Sequence, residues 1–253
     1  MPGQRTLLSR SLAQICLIYG VSAPHATPDR RRFRMLTTRR LRPAAEYLYR
    51  LLLMAGKITR ESIEKYRQDL LIRETLCGQP MVFKTSWGLF SPREIDAGSR
   101  LLLDHISPFA GSSILDLGCG YGAIGLTLAR LYPSTQVTLV DKDFVAIDYC
   151  RMNAGLNHLD NCTALLSNGL NQVPVEDYDL VVTNLPAKSG KELYYLMFYD
   201  TSARLAPGGS FYIVTINGLR NFVKRAFTDV FGNYKKLKQA STYTVAMAIK
   251  EQP

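Results

Sequence analysis

Histidine, paired cysteine and long apolar runs are all scarce in this chain of 253 residues, and each scarcity removes a class of function. The three histidines, His25, His105 and His158, are too scattered to predict a metal cluster or a catalytic triad. The five cysteines, Cys16, Cys77, Cys119, Cys150 and Cys162, are odd in number, and no two lie closer than twelve positions. That spacing predicts neither a zinc knuckle nor a disulfide framework, so no metal is expected and a reduced, cytoplasmic setting is. Beyond the amino-terminal leader no stretch reaches the length of about 18 apolar residues that a spanning helix needs, so no membrane partner is expected. There is no internal repeat and no low-complexity tract outside the leader, which sets solenoids aside.

What is present suits one good-sized domain with extensions: 47% hydrophobic and 21% charged residues, with a net charge of +10. The charge is uneven. Residues 1–42 hold nine arginines, no lysine and a single acid, Asp29, leaving the remainder close to neutral. Such an arm attracts RNA or acidic membrane through phosphate contacts, yet "ATPDRRRFR" has no periodic apolar face and reads as disordered. "SLAQICLIYGVSA" resembles a weak signal-peptide core, broken by Gln14 and Tyr19; an organelle transit peptide is the rival reading. Translation starting at Met35 is the simpler alternative, and it makes residues 1–34 dispensable.

From Pro43 to about Leu76 the period is helical. Tyr47, Leu51 and Met54 share a face in "RPAAEYLYRLLLMAGK", and Ile63, Tyr66 and Leu70 recur in "TRESIEKYRQDLLIRETL". Residues 43–78 therefore read as a helical extension of a main domain over 79–253. "MVFKTSWGLFS" reads as a strand and turn. Then short apolar strands at 112–117, 136–141, 162–167, 179–184 and 210–216 alternate with helices. That alternation predicts an α/β fold, a doubly wound and mostly parallel sheet covered on both faces. A helix around 218–231 is followed by Gly232-Asn233 and then two strands without a helix between them, so the chain should close with an antiparallel hairpin.

Within "ILDLGCGYGAIG", Gly118, Gly120 and Gly122 fall between the first parallel strand and its helix, where bare backbone and free helical N–H groups meet a ligand. Gly118, Gly120 and Ala123 also fit a dinucleotide fingerprint, with Asp141 placed to bind a ribose, so an NAD enzyme stays open on this loop alone. Three features favour a cationic ligand. Asp116 sets a carboxylate beside the loop, no phosphate clamp follows the glycines, and the closing hairpin is foreign to the dinucleotide fold.

"ILDLGCGYGAIG", "VTLVDKD" and "VVTNLPA", with "FKTSWGLFSPREIDAGSRLLL" upstream and "SGKELYYLMFYDTSARLAPGGSFYIV" downstream, resemble the class I S-adenosylmethionine-dependent methyltransferases. The likeness covers roughly residues 70–250 and is to the methyltransferase small domain group, which includes 16S rRNA guanine-N2 methyltransferases. It implies a seven-stranded Rossmann-like sheet and S-adenosylmethionine as cofactor. Asp116 and the backbone of Gly118, Cys119, Gly120 and Gly122 would hold the methionine part. Asp141, with Lys142 beside it, would take the ribose hydroxyls. Asn168 and Gly169 fill the adenine slot, where the group usually carries an acid; an amide can bond the same ring edge.

The stretch "DLVVTNLPAKSG" ends a strand on Asn184, Leu185 and Pro186. An exocyclic amine on a base is a poor nucleophile because its lone pair is delocalised into the ring. Hydrogen-bond acceptors fixed at a strand's edge position that amine and favour its pyramidalisation as a methyl group arrives in line. The Asn184 side-chain oxygen and the Leu185 carbonyl are the candidates, with Pro186 stiffening the loop. The group's pattern is N-P-P-[FYW], whereas Ala187 stands here in place of the base-stacking aromatic. Trp87 or Phe90 upstream could stack instead, and Lys188 could attract phosphate. The expected activity is N-methylation of a guanine amine in ribosomal RNA. A protein glutamine or small-molecule amine as acceptor, and a catalytically silent binding module, are the alternatives.

Overall fold

The computed structural model describes residues 64, 66, 68–173 and 177–251. The chain divides into two units, residues 1–65 and 66–253. The basic arm, the Met35 start and most of the helical extension lie outside the described residues.

The end of that extension is not helical. Leu70–Leu76 forms strand β1, antiparallel to β2, Gln79–Thr85. Alternation decides it: Ile72 and Leu76 are buried while Leu71, Arg73 and Thr75 face out. The intervening Cys77 and Gly78 both have positive φ, 48° and 77°, the signature of a two-residue hairpin turn whose twist matches its strands. The leucines, Arg73 and Glu74 are good helix formers, but pairing with β2 overrides that preference.

Two asparagines four positions apart, Asn153 in α3 below and Asn157 at its carboxyl cap, bind this hairpin to the main body. Asn153 accepts from the Lys84 N–H and donates to the Lys84 carbonyl; Asn157 does the same with Val82. Alternate residues of a strand direct their backbone groups to one side, so helical i, i+4 spacing matches strand i, i+2 spacing. The side chains thus satisfy an edge that a third strand would otherwise fill. Asn153 also donates to the Tyr121 carbonyl in the glycine loop.

The remaining elements are α1 (Ala97–Leu103), β3 (Ser113–Leu117), α2 (Ala123–Leu131), β4 (Gln136–Asp141), α3 (Phe144–Leu156), β5 (Cys162–Leu166), β6 (Tyr178–Asn184), α4 (Lys191–Arg204), β7 (Leu205–Ile216), α5 (Arg220–Phe231), β8 (Lys235–Gln239) and β9 (Tyr243–Ile249). The sheet has seven strands in the order β5-β4-β3-β6-β7-β9-β8. Every pairing from β5 to β7 is parallel, and β9 lies antiparallel between β7 and β8. The doubly wound, mostly parallel sheet with its closing hairpin agrees with the sequence reading. β7 starts five residues before the expected Ser210, because a bulge absorbs "LAPGG" while Gly208 N–H donates to the Lys250 carbonyl.

Successive strand residues feed two cores. Ile114, Leu180, Val182, Val214 and Val245 pack with the β1–β2 hairpin and with α1 to α3. Leu115, Val181, Phe211 and Ile213 face α4 and α5, where Phe198, Phe211 and Phe227 meet with ring centroids 5.0–5.8 Å apart. Both faces being covered, the strands read as nearly continuous apolar runs. Among the described residues no helix is long and apolar enough to cross a membrane.

The chain runs outward from β3 through β4 to β5, then returns to the other side of β3 with β6. That reversal is the topological switch, and the crevice beyond the carboxyl ends of β3 and β6 is where such sheets bind ligands.

Candidate active site

The glycine loop and Asn184 meet at this switch. Asp116 is level with Val182 across the β3–β6 pair, so the glycine loop and Asn184 leave the sheet from the same ends of adjacent strands. The Thr183 hydroxyl donates to the Leu117 carbonyl at 2.7 Å and locks the two strand ends together.

Gly118 and Gly120 have φ of 75° and 56°, and a Cβ on either would meet nothing within 4 Å. The loop therefore takes a conformation that suits glycine and leaves open space above its backbone, a cradle for a ligand. Its N–H groups are mostly engaged within the chain. Gly118 and Cys119 donate to the Val140 carbonyl, Gly120 to Asp141 Oδ2 at 2.9 Å, and Gly122 to the Cys119 carbonyl. A pyrophosphate bound at a helix amino terminus relies on such groups being free, so this arrangement favours the cationic ligand over a dinucleotide.

Asp116, near the end of β3 just before the loop, is almost fully buried. Its Oδ2 accepts from the Gly125 N–H at 2.7 Å, while Oδ1 is buried without a partner among the described residues. Burial pushes its carboxyl up to about 7; the Gly125 N–H opposes this, and the neighbouring Asp141 charge adds to it. Two carboxylates close enough to repel one another make the loop a place for positive charge. Asp141, half-buried at the end of β4, also accepts from the Asp143 N–H through Oδ1. Each of its oxygens keeps a lone pair for a hydroxyl donor. Lys142, Asn168 and Gly169 are exposed on the rim beside it. The Ser167 hydroxyl donates to the Gly169 carbonyl and shapes that turn.

At the end of β6, Asn184 is half-buried and Leu185 buried, its N–H donating to the Val214 carbonyl at 2.9 Å. Pro186, Ala187 and Lys188 are exposed. The Tyr194 hydroxyl donates to the Pro186 carbonyl and accepts from the Ser189 N–H at 3.2 Å, so α4 grips the loop from below. Asn184 Nδ2 lies 3.0 Å from both Asp96 Oδ2 and Ser99 Oγ. Asp96 caps α1 by accepting from the Ser99 N–H at 3.1 Å, and its Oδ1 accepts from the Tyr243 hydroxyl at 2.9 Å. Burial, then the bond to Asp96 and its charge, push the Tyr243 phenol above its ordinary value and keep it a donor.

Sequence reasoning missed Asp96, Ser99, Tyr194 and Tyr243. The signal for the first two was the capping pattern Asp96-x-x-Ser99 before an apolar run. Of the two upstream aromatics, Trp87 is engaged: Tyr66 meets it edge-on at 5.4 Å, and the Arg93 guanidinium lies 5.6 Å from its ring centre. Phe90 is 66% exposed and remains the available ring.

The family described as methyltransferase small domain matches residues 80–247. The ribosomal RNA large subunit methyltransferase G of Shewanella amazonensis is 32% identical over 169 residues, 64% of this chain and 44% of that protein. The ribosomal RNA small subunit methyltransferase C of Pseudomonas putida is 33% identical over 167 residues, 64% of this chain and 49% of that protein. The chain thus spans about half the length of these curated relatives. The uncharacterized protein YbxB of Bacillus subtilis is 31% identical over 155 residues, covering 60% of this chain and 76% of that one. Among solved structures, a T. thermophilus 16S rRNA N2 methyltransferase in complex with AdoMet and guanosine superposes with a TM-score of 0.66 at 28% identity, over 72% of this chain and 51% of that one. A Pyrococcus furiosus methyltransferase, at 20% identity and a TM-score of 0.54, covers 65% of this chain and 90% of its own and shares the fold.

Proposed function

The chain belongs to the methyltransferase small domain family, and from that premise we propose that it is a cytoplasmic S-adenosylmethionine-dependent N-methyltransferase acting on a guanine exocyclic amine in ribosomal RNA. The observation that carries this reading is the neighbouring placement of the open glycine loop and Asn184, whose amide nitrogen is already engaged by Asp96 and Ser99. The relatives' names and the guanosine complex support the substrate class.

When bound, S-adenosylmethionine supplies an electrophilic methyl group on a sulfonium. The chain's residues do the rest. Gly118 to Gly122 leave room for the methionine part. The charges of Asp116 and Asp141 favour its ammonium, which would give the buried Asp116 Oδ1 the donor it lacks, directly or through one water. Asp141 accepts the ribose hydroxyls, with Lys142 beside it, and Asn168 and Gly169 border the adenine. Asn184 Oδ1 and the Leu185 carbonyl accept the two amine protons of the base, which orients the nitrogen lone pair toward the methyl group. The proton released after transfer leaves to water, so no general base is required. Pro186 holds the loop, Phe90 offers the ring that Ala187 lacks, and Lys188 faces the phosphates. In structured RNA the base must leave its stack to reach this crevice.

The test is a nucleoside digest of ribosomal RNA from cells with and without the protein, alongside labelled methyl transfer to RNA and to protein fractions. A methylated guanosine lost with the protein supports the reading. Label confined to protein transfers the activity to a glutamine acceptor, and cofactor binding without any labelled acceptor marks a silent module.

A further inference from the structure

An asparagine that presents its oxygen to a substrate amine faces a problem of its own. The amide is nearly symmetric in shape, and rotating it by half a turn offers an NH2 group where an acceptor is needed. Against a base amine that is donor against donor. Nothing in Asn184 itself prevents this.

The surroundings do. Both Nδ2 protons are taken, by Asp96 Oδ2 and by Ser99 Oγ, each at 3.0 Å. An ionised carboxylate only accepts. Rotating the amide would bring Oδ1 against Asp96 Oδ2 with no proton between them, so the network fixes which end of the amide faces away from Asp96. Asp96 is itself held. Ser99 N–H binds its Oδ2 at 3.1 Å and the Tyr243 hydroxyl binds its Oδ1 at 2.9 Å. Ser99 is buried, and Tyr243 opens β9, opposite Ile216 at the end of β7. Three distant parts of the chain, the cap of α1, the end of β6 and the start of β9, therefore converge on one amide.

We infer that Asp96, braced by Ser99 and Tyr243, is a positioning residue that locks the Asn184 amide with Oδ1 toward the crevice, and so selects an acceptor nitrogen that donates hydrogen bonds over one that accepts them. Asp96 acts here through Asn184 rather than on the substrate itself. The inference rests on the reading of Asn184 as the group that receives the amine protons. It also explains why the closing hairpin, which supplies no ligand of its own, reaches the site.

Asp96→Asn keeps a helix cap of equal quality but replaces a pure acceptor with an amide that can face Asn184 either way. Two readouts are followed in the full chain: methyl transfer to ribosomal RNA at saturating cofactor, and solvent exchange of the Asn184 side-chain NH2 protons by NMR, assigned by their absence in Asn184→Ala. Loss of one charge-assisted hydrogen bond corresponds to about tenfold to a hundredfold. Asp96→Asn should therefore slow turnover by about that factor and speed NH2 exchange at least tenfold, with S-adenosylhomocysteine affinity unchanged. Tyr243→Phe should do both more weakly. In an Asn184→Ala background Asp96→Asn should cost nothing further.

Wild-type exchange rates in Asp96→Asn overturn the inference, as does an Asp96→Asn cost that persists in full without Asn184. If Asp96→Asn fails to fold, Tyr243→Phe decides by the same two readouts. Full turnover in Asn184→Ala, or no transfer by the wild type, defeats the reading of the site instead; the exchange measurement then still tests the lock.

Discussion

Replacing Asp116 by Asn should make the protein more stable at pH 8 relative to wild type while weakening the cofactor site. The carboxylate is buried, has one donor on Oδ2 and, among the described residues, none on Oδ1, and lies close enough to feel the Asp141 charge. Its pKa is raised from 3.8 to about 7, chiefly because burial disfavours the charged form. At 1.36 kcal/mol per pH unit that corresponds to an ionisation cost of about 4 kcal/mol in the folded state. The sign follows from proton counting. Between pH 4 and about 7 the folded chain keeps a proton that the unfolded chain has lost, so Asp116's contribution is fully present below pH 4, declines as pH rises through that window, and is flat above it. An asparagine does not titrate. From pH 5 to pH 8 the variant should therefore gain about 2–3 kcal/mol on wild type in urea unfolding. Wild-type affinity for S-adenosylmethionine should rise from pH 5.5 to 7 as the carboxylate ionises, with protons released on binding, whereas Asp116→Asn should bind weakly with no such slope. Parallel stability profiles for the two proteins, or a wild-type affinity flat over that range, would refute the account of this carboxylate.

Asp141→Ala should weaken cofactor binding about tenfold to a hundredfold, measured by calorimetry, because it removes charge-assisted bonds to the ribose and frees the Gly120 N–H. Phe90→Ala should raise KM for RNA by about fivefold to a hundredfold, from a stacking contact of about 1–3 kcal/mol, with no change in Tm since the ring is 66% exposed. Phe227→Ala, which empties the centre of the α4–α5 aromatic cluster, should cost about 3–5 kcal/mol in chemical unfolding while folded molecules keep cofactor affinity. Asn153→Ala should leave the backbone groups of Lys84 and the Tyr121 carbonyl without their partner, lower Tm, and accelerate amide exchange in β2 before β4.

Elements whose cause is local were legible in the sequence. Apolar runs separated by helical periods gave the parallel sheet, and three glycines in five residues marked the loop after β3. The position of Asp141 at the end of the next strand was legible in the same way. The helix expected through Leu76 failed because its residues favour helix individually and only the partner β2, with the Cys77-Gly78 turn between them, makes them a strand. The depth of Asp116 was not legible, since spacing gives a residue's position along a strand but not how far the helix that follows buries it.

The support around Asn184 was illegible for a different reason. Asp96 lies 88 residues from Asn184 and 147 from Tyr243, and each contact exists only because β6 lies next to β7, and β7 next to β9, in the finished sheet. A single sequence shows which groups could carry chemistry, as it does for Asn184 at the end of a strand before a proline-stiffened loop. It does not show which groups hold them, because any carboxylate at a helix cap has a sufficient local explanation. Asp96 satisfies that explanation with one oxygen, through the Ser99 N–H, and then uses the same carboxylate for two further donors. A cap that accepts from two other elements as well is doing more than ending a helix, and in a doubly wound sheet such surplus bonding at the carboxyl edge is where positioning residues are to be sought.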